Sequence, residues 1–160
     1  MTIWSKLFGS RNNLKDIKDD YFGELKHEIR TDIYGKKIVS KNLKGKVLFD
    51  EVEVKIDLDC STGVPNKSQK DFFTFLKSEF DNLKSKIIIP LLEEKLAQWI
   101  DRQKVKVDFD SDIILREIFI PDCLTKPIDW KLSLVYIPTD DYVTIKFTDF
   151  IPDKNIAFNS

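Results

Sequence analysis

Histidine is almost missing from this sequence: His27 is the only one in 160 residues. A Ser-His-Asp or Cys-His centre would have to be built around it. Its position in phase with Leu25 and Ile29 reads instead as a partly buried strand residue. Cysteine is nearly as scarce. Cys60 and Cys123 are too few for the disulfide framework of a secreted scaffold, and both read as free thiols. Two Cys and one His, far apart in the chain, lack zinc-ligand spacing. The five glycines, Gly9, Gly23, Gly35, Gly45 and Gly63, are too scattered for a phosphate-cradling loop. No apolar run approaches the roughly 18 residues of a membrane span. The start, Met1 to Phe8, lacks the h-region of a signal peptide, about 7–15 apolar residues. The expected location is the cytoplasm. No cofactor, no metal and no catalytic residue are expected.

What is present is core material. The chain is 42% hydrophobic and 33% charged, with twelve Phe and three Trp. A disordered chain would hold far fewer aromatics. The formal net charge is −1, so no global field draws it to nucleic acid or an anionic membrane. The charge is unevenly spread. Residues 1–46 hold eleven Lys/Arg against six Asp/Glu, or +5, whereas residues 47–64 come to −4.

Periodicity places the elements. Ile3, Trp4, Leu7 and Phe8 could share one side of a short helix, and the polar stretch Gly9 to Asp20 reads as a linker or arm. Residues 1–20 are therefore set apart from a single domain over 21–160. Strands are predicted at 23–30, 37–40 and 43–49. The cleanest alternation is Val52, Val54, Ile56 and Leu58 against Glu53, Lys55, Asp57 and Asp59, a half-buried antiparallel strand. A turn near Asp50-Glu51 should join it to 43–49. Ser68 with Asp71 resembles a capping box. Phe72, Phe73, Leu76, Phe80, Leu83 and Ile87 then recur at helical spacing. Pro90 cannot donate to the carbonyl four residues back, so a break is expected there. Strands at 113–120, 130–136 and 142–148 complete the chain, the last two as a hairpin. The fold class is α+β: an antiparallel β-sheet with a helical pair, about 68–89 and 91–100, packed on one face.

Few residues propose chemistry. Asp108-Phe-Asp-Ser-Asp112 begins like a calcium loop, but Ile113 stands where that loop needs Gly and Phe119 where it needs Glu. It reads as a solvated acidic turn. Lys36, Lys37 and Lys41 to Lys46 form a modest basic stretch. It lacks arginine and aromatic stacking partners, so nucleic acid is not the expected partner. A lysine-guarded edge strand or hairpin explains it as well. The outer side of strand 52–59 is the candidate partner-binding surface, through Glu53, Asp57 and Asp59. An acidic face can steer a basic partner.

Several features together resemble small bacterial proteins of unknown function, some encoded beside polymorphic toxins as immunity proteins. They are the Ile3-to-Gly9 start with its charged linker, the Phe22-Gly-Glu-Leu25 opening, the Glu53–Asp59 strand before a Ser68–Phe73 helix, and the closing hairpin. The resemblance implies a binding protein that inhibits a cognate toxin, and it carries over no binding residue. The expected function is a non-enzymatic protein-interaction module with a protein partner, a basic toxin being the case considered. The alternatives are a hydrolase or transferase built on carboxylates, and a structural or regulatory subunit.

Overall fold

The computed structural model describes residues 16–99, 104–156 and 158–159. The predicted helix at 3–8 lies outside them. The order is β1 (Ile17–Asp19), β2 (Gly23–Thr31), β3 (Lys37–Phe49), β4 (Val52–Asp59), a helical run, β5 (Ile113–Ile120), β6 (Asp129–Tyr136), β7 (Asp141–Thr148), β8 (Ile151–Pro152) and β9 (Phe158–Asn159). The nine strands among the described residues form one sheet, in sequence order from β1 to β8, with β9 also on β7. Every pairing is antiparallel except β4–β5, which is parallel. The long helical crossover explains that exception, since only a crossover can bring two strands side by side in the same direction. The architecture is α+β, as the strand–helix–strand order predicts.

The turn between β3 and β4 falls at Asp50-Glu51. Both take positive φ, 49° and 64°, the conformation that a two-residue hairpin loop requires. Behind it the alternation of β4 holds on the core side from Val54 onward, while Val52, next to the turn, is half-exposed. Val54, Ile56 and Leu58 are buried with Leu25, Leu43, Trp130, Leu132 and Ile145 in one cluster. The helical run closes that cluster with Phe72, Phe73, Leu76, Phe80, Leu83, Leu92 and Leu96.

The helix differs from expectation at both ends of its first segment. The cap is Asn66, not Ser68: its side chain accepts from the Gln69 N–H, and the Gln69 side chain accepts from the Asn66 N–H. A capping box needs its partners three apart, and Asn66 and Gln69 meet that condition two residues earlier than Ser68 and Asp71. There is also no break at Pro90. Helix α1 (Lys67–Leu83) passes through a π-turn (Lys84–Ile88) into α2 (Ile89–Trp99). In the π-turn the Ile89 N–H bonds back to the Lys84 carbonyl. That slip of one residue puts Pro90 in the first turn of a new α-helical register, where no N–H donor is needed. A third short helix, α3 (Phe109–Asp112), is capped by Asp108, whose side chain accepts from the Asp110 N–H.

The sheet also begins earlier than the linker reading of 9–20 supposed. Ile17 pairs with Leu25, and Asp19 with Gly23. Asp19 then fixes the turn: its Oδ1 accepts from Tyr21 and Phe22 N–H at 2.8 and 2.9 Å, and Lys70 Nζ on α1 lies 2.8 Å from Oδ2.

Candidate interaction surface

The helices cover one face of the sheet, and the other presents the polar half of each strand. Glu53, Asp57 and Asp59 all project there from β4, flanked by β3 and β5. Each carboxylate meets a lysine of β3. Lys46 Nζ is 2.6 Å from Glu53, and Lys44 Nζ is 3.7 Å from Asp57. Lys41 Nζ lies 3.2 Å from Asp59 Oδ1, though not at a hydrogen-bonding angle. The antiparallel register sets Lys44 directly opposite Asp57, while Lys46 reaches Glu53 diagonally and Lys41 reaches Asp59 from beside Asn42. Asp57 is only 8% exposed and accepts a 2.8 Å hydrogen bond from the Asn42 side chain. Burial pulls Lys44 toward the neutral form, but the Glu28 hydrogen bond and the charges of Asp57, Glu28 and Glu117 outweigh it and hold its pKa above the ordinary lysine value. The −4 of residues 47–64 is thus offset in space by lysines from the preceding strand.

Carboxylates from separate elements also gather beside a cleft. A cleft of about 370 Å³ opens between the N-terminal ends of β4 and β5. Val52, Phe80, Phe109 and Ile113 line it, with Asp50, Glu53 and Asp110 beside them. Lys84 sits among the acids, 3.5 Å from Asp50 and 3.8 Å from Asp110. Among the described residues no group of three His, Cys, Asp or Glu is placed to hold a metal ion. His27 is half-buried, its Nδ1 3.4 Å from the Ser40 carbonyl oxygen. Cys60 and Cys123 form no disulfide. Burial pushes both thiols up to about 11, which favours the protonated form at neutral pH.

The two most exposed large apolar side chains lie elsewhere again. β1 pairs only with Gly23 to Leu25 of β2, and β4 only with Asn42 to Phe49 of β3. Beyond those limits, among the described residues, β2 and β3 have each other alone, and they run on as a two-stranded ribbon from Ile29–Val39 to Thr31–Lys37. A register shift between His27 and Ile29 marks where the ribbon leaves the sheet, and such bulges sharpen the local twist. The tip is ordered by Asp32, whose Oδ1 accepts from Tyr34 and Lys36 N–H at 2.9 and 2.8 Å. Gly35 supplies the positive φ of the turn, 78°. The turn holds Ile33 91% and Tyr34 87% exposed, and Ile29 and Ile38 stand exposed on the ribbon below. Sequence reasoning marked the lysines of this hairpin and missed Ile33 and Tyr34, because two apolar residues in a turn have no periodicity. The available signal was an apolar pair between two turn formers, Asp32 and Gly35.

Among the described residues no helix is long and apolar enough to cross a membrane. The chain matches no protein-family model, no curated protein and no solved structure.

Proposed function

We propose that the chain is a non-enzymatic protein-interaction module that grips its partner with the β2–β3 ribbon, and that the partner is a toxin which this grip neutralises. The observation that carries the reading is the near-complete exposure of Ile33 and Tyr34 on an ordered turn. Scattered exposed apolar residues need no explanation, but an adjacent pair held almost fully exposed on an ordered turn does. A tyrosine and an isoleucine at a protruding tip suit insertion into a partner's pocket, where buried aromatic anchors supply most of the affinity. The resemblance to immunity proteins supplies the finer part. The β4 carboxylates Glu53, Asp57 and Asp59 are the competing surface, suited to a basic toxin, and the lysines opposite them leave that face near neutrality.

The two surfaces separate in one experiment. The chain is co-expressed with a toxin encoded beside its gene, and survival and binding are measured for Ile33→Asp/Tyr34→Asp and for Glu53→Lys/Asp59→Lys. Ile33, Tyr34 and Glu53 are exposed, so stability should change by no more than about 0.5 kcal/mol at each of them; Asp59 is partly buried with its Oδ1 enclosed, so a melt of the β4 variant is read beside its binding. The tip variant should lose protection and bind at least about tenfold more weakly, a cost of roughly 1.4 kcal/mol. The β4 variant should protect like the parent. The reverse pattern assigns the interface to β4, and survival unaffected by the parent chain rejects the toxin reading.

A further inference from the structure

The ribbon also exposes backbone. Once β4 ends at Asp59, β3 continues through Lys41 to Lys37 with β2 on one side. The Cys60 N–H bonds the Lys41 carbonyl at 3.3 Å. Past that point, among the described residues, no strand pairs with Lys37 to Ser40 on the side away from β2. The pairings Ile29–Val39, Arg30–Ile38 and Thr31–Lys37 hold this stretch extended. An extended strand with one side unpaired is the template for strand addition.

We propose that the Lys37–Ser40 edge takes an extended, acidic segment of the partner protein as an added strand. The proposal rests on the interaction-module reading and names the chemistry of its partner. Main-chain hydrogen bonds would supply the grip, and charge the choice. Lys36 and Lys37 are exposed and make no ion pair among the described residues. Acidic side chains on an added strand would lie beside them, and opposite charges across a strand pair stabilise it. In a second copy of this chain, antiparallel pairing centred on Val39 would set Lys37 opposite Lys41, and like charges directly opposite destabilise a sheet. Pairing centred on Ile38 would set Lys37 opposite Val39 and leave both lysines without a partner of opposite sign, which an acidic strand supplies.

The test uses the full chain and short capped peptides: Thr-Glu-Val-Glu-Val-Glu-Thr, its lysine counterpart, and the acidic peptide N-methylated at alternate residues in either phase. The readouts are affinity and amide hydrogen exchange at residues 37–41. The acidic peptide should slow exchange there, and the lysine peptide should bind at least about tenfold more weakly. One N-methyl phase should abolish binding and the other preserve it, because alternate amides of an added strand face the edge. Lys36→Glu/Lys37→Glu should invert the preference between the peptides. Unchanged exchange at 37–40 would mean that the lysines only guard the edge. Equal binding by both N-methyl phases would mean side-chain contact without strand addition. Equal slowing by an oligonucleotide would mean nonspecific anion binding. Each of these three overturns the proposal. If the peptide fails while Ile33→Asp/Tyr34→Asp still weakens the toxin, strand addition falls and the interaction reading stands. If the peptide adds while that variant leaves the toxin unaffected, the tip reading falls and the edge site stands.

Discussion

Gln69 has no exposed surface, yet every polar atom of its side chain is used. Nε2 donates to the Asp59 and Pro121 carbonyls at 3.0 and 2.9 Å, and Oε1 accepts from the Asn66 N–H at 3.1 Å and from Cys60 Sγ at 3.7 Å. One amide thereby ties the ends of β4 and β5 to the start of α1. Gln69→Leu fills similar space and strands those partners, so it should lower stability by roughly 2–4 kcal/mol. A urea midpoint equal to the parent's would refute this role. Asp19 acts in the same way at the other edge. Burial raises its pKa, but the Lys70 hydrogen bond and the Phe22 and Tyr21 N–H groups outweigh that, and the net pKa lies below the ordinary carboxylate value. A carboxyl depressed on folding stabilises fully above its unfolded pKa, about 4, and loses that contribution as pH falls through the folded value. Asp19→Asn should therefore weaken the protein at pH 7 by about 1–2 kcal/mol and flatten its acid-side stability curve below about pH 4. Melts from pH 7 to pH 2 would show a parallel curve if Asp19 were uninvolved. The same contacts place Ile17–Asp19 in the sheet, although the sequence sets residues 1–20 apart from the domain.

At the scale of elements, the β3–β4 hairpin and the β6–β7 hairpin were legible because alternation and turn formers sit in adjacent residues. The capping box was misplaced by two residues, since Asn66 and Ser68 are both capping types and only the backbone distinguishes them. The π-turn had no sequence signal beyond Pro90, which is equally compatible with a break. The parallel β4–β5 pairing was not visible at all, because its partners are separated by the whole helical run. The ribbon was half legible: lysine on an open edge is a recognisable pattern, whereas the unequal lengths of β3 and β4 appear only once they are paired. The Asp50-Glu51 turn supplies a stability test. A non-glycine residue at positive φ costs about 1 kcal/mol, so Glu51→Gly, at φ 64°, should stabilise by about 0.5–1 kcal/mol. A lowered melting temperature would show that the Glu51 side chain contributes something the turn geometry does not reveal.

For the whole molecule, the layout of the sheet has a consequence in time. Within β1–β4 and within β5–β8 each strand pairs with a neighbour in sequence, so each half can zip from its own turns. The joint between them sets Lys55 beside Glu117 and Ile56 beside Ile118, and its closure must wait for the chain between to be gathered in. Loop-closure entropy is spent before such a contact returns anything, which makes it a late event. Contacts formed after the rate-limiting barrier govern how fast a protein unfolds, not how fast it folds. Ile118→Val at the joint should accordingly speed unfolding and leave the folding rate almost unchanged, while Val47→Ala, inside the β3–β4 hairpin, should slow folding. Stopped-flow chevrons would read both arms, and a slowed folding arm for Ile118→Val would reverse the order. On this account the protein comes apart first along its one parallel seam, as two meanders still largely intact.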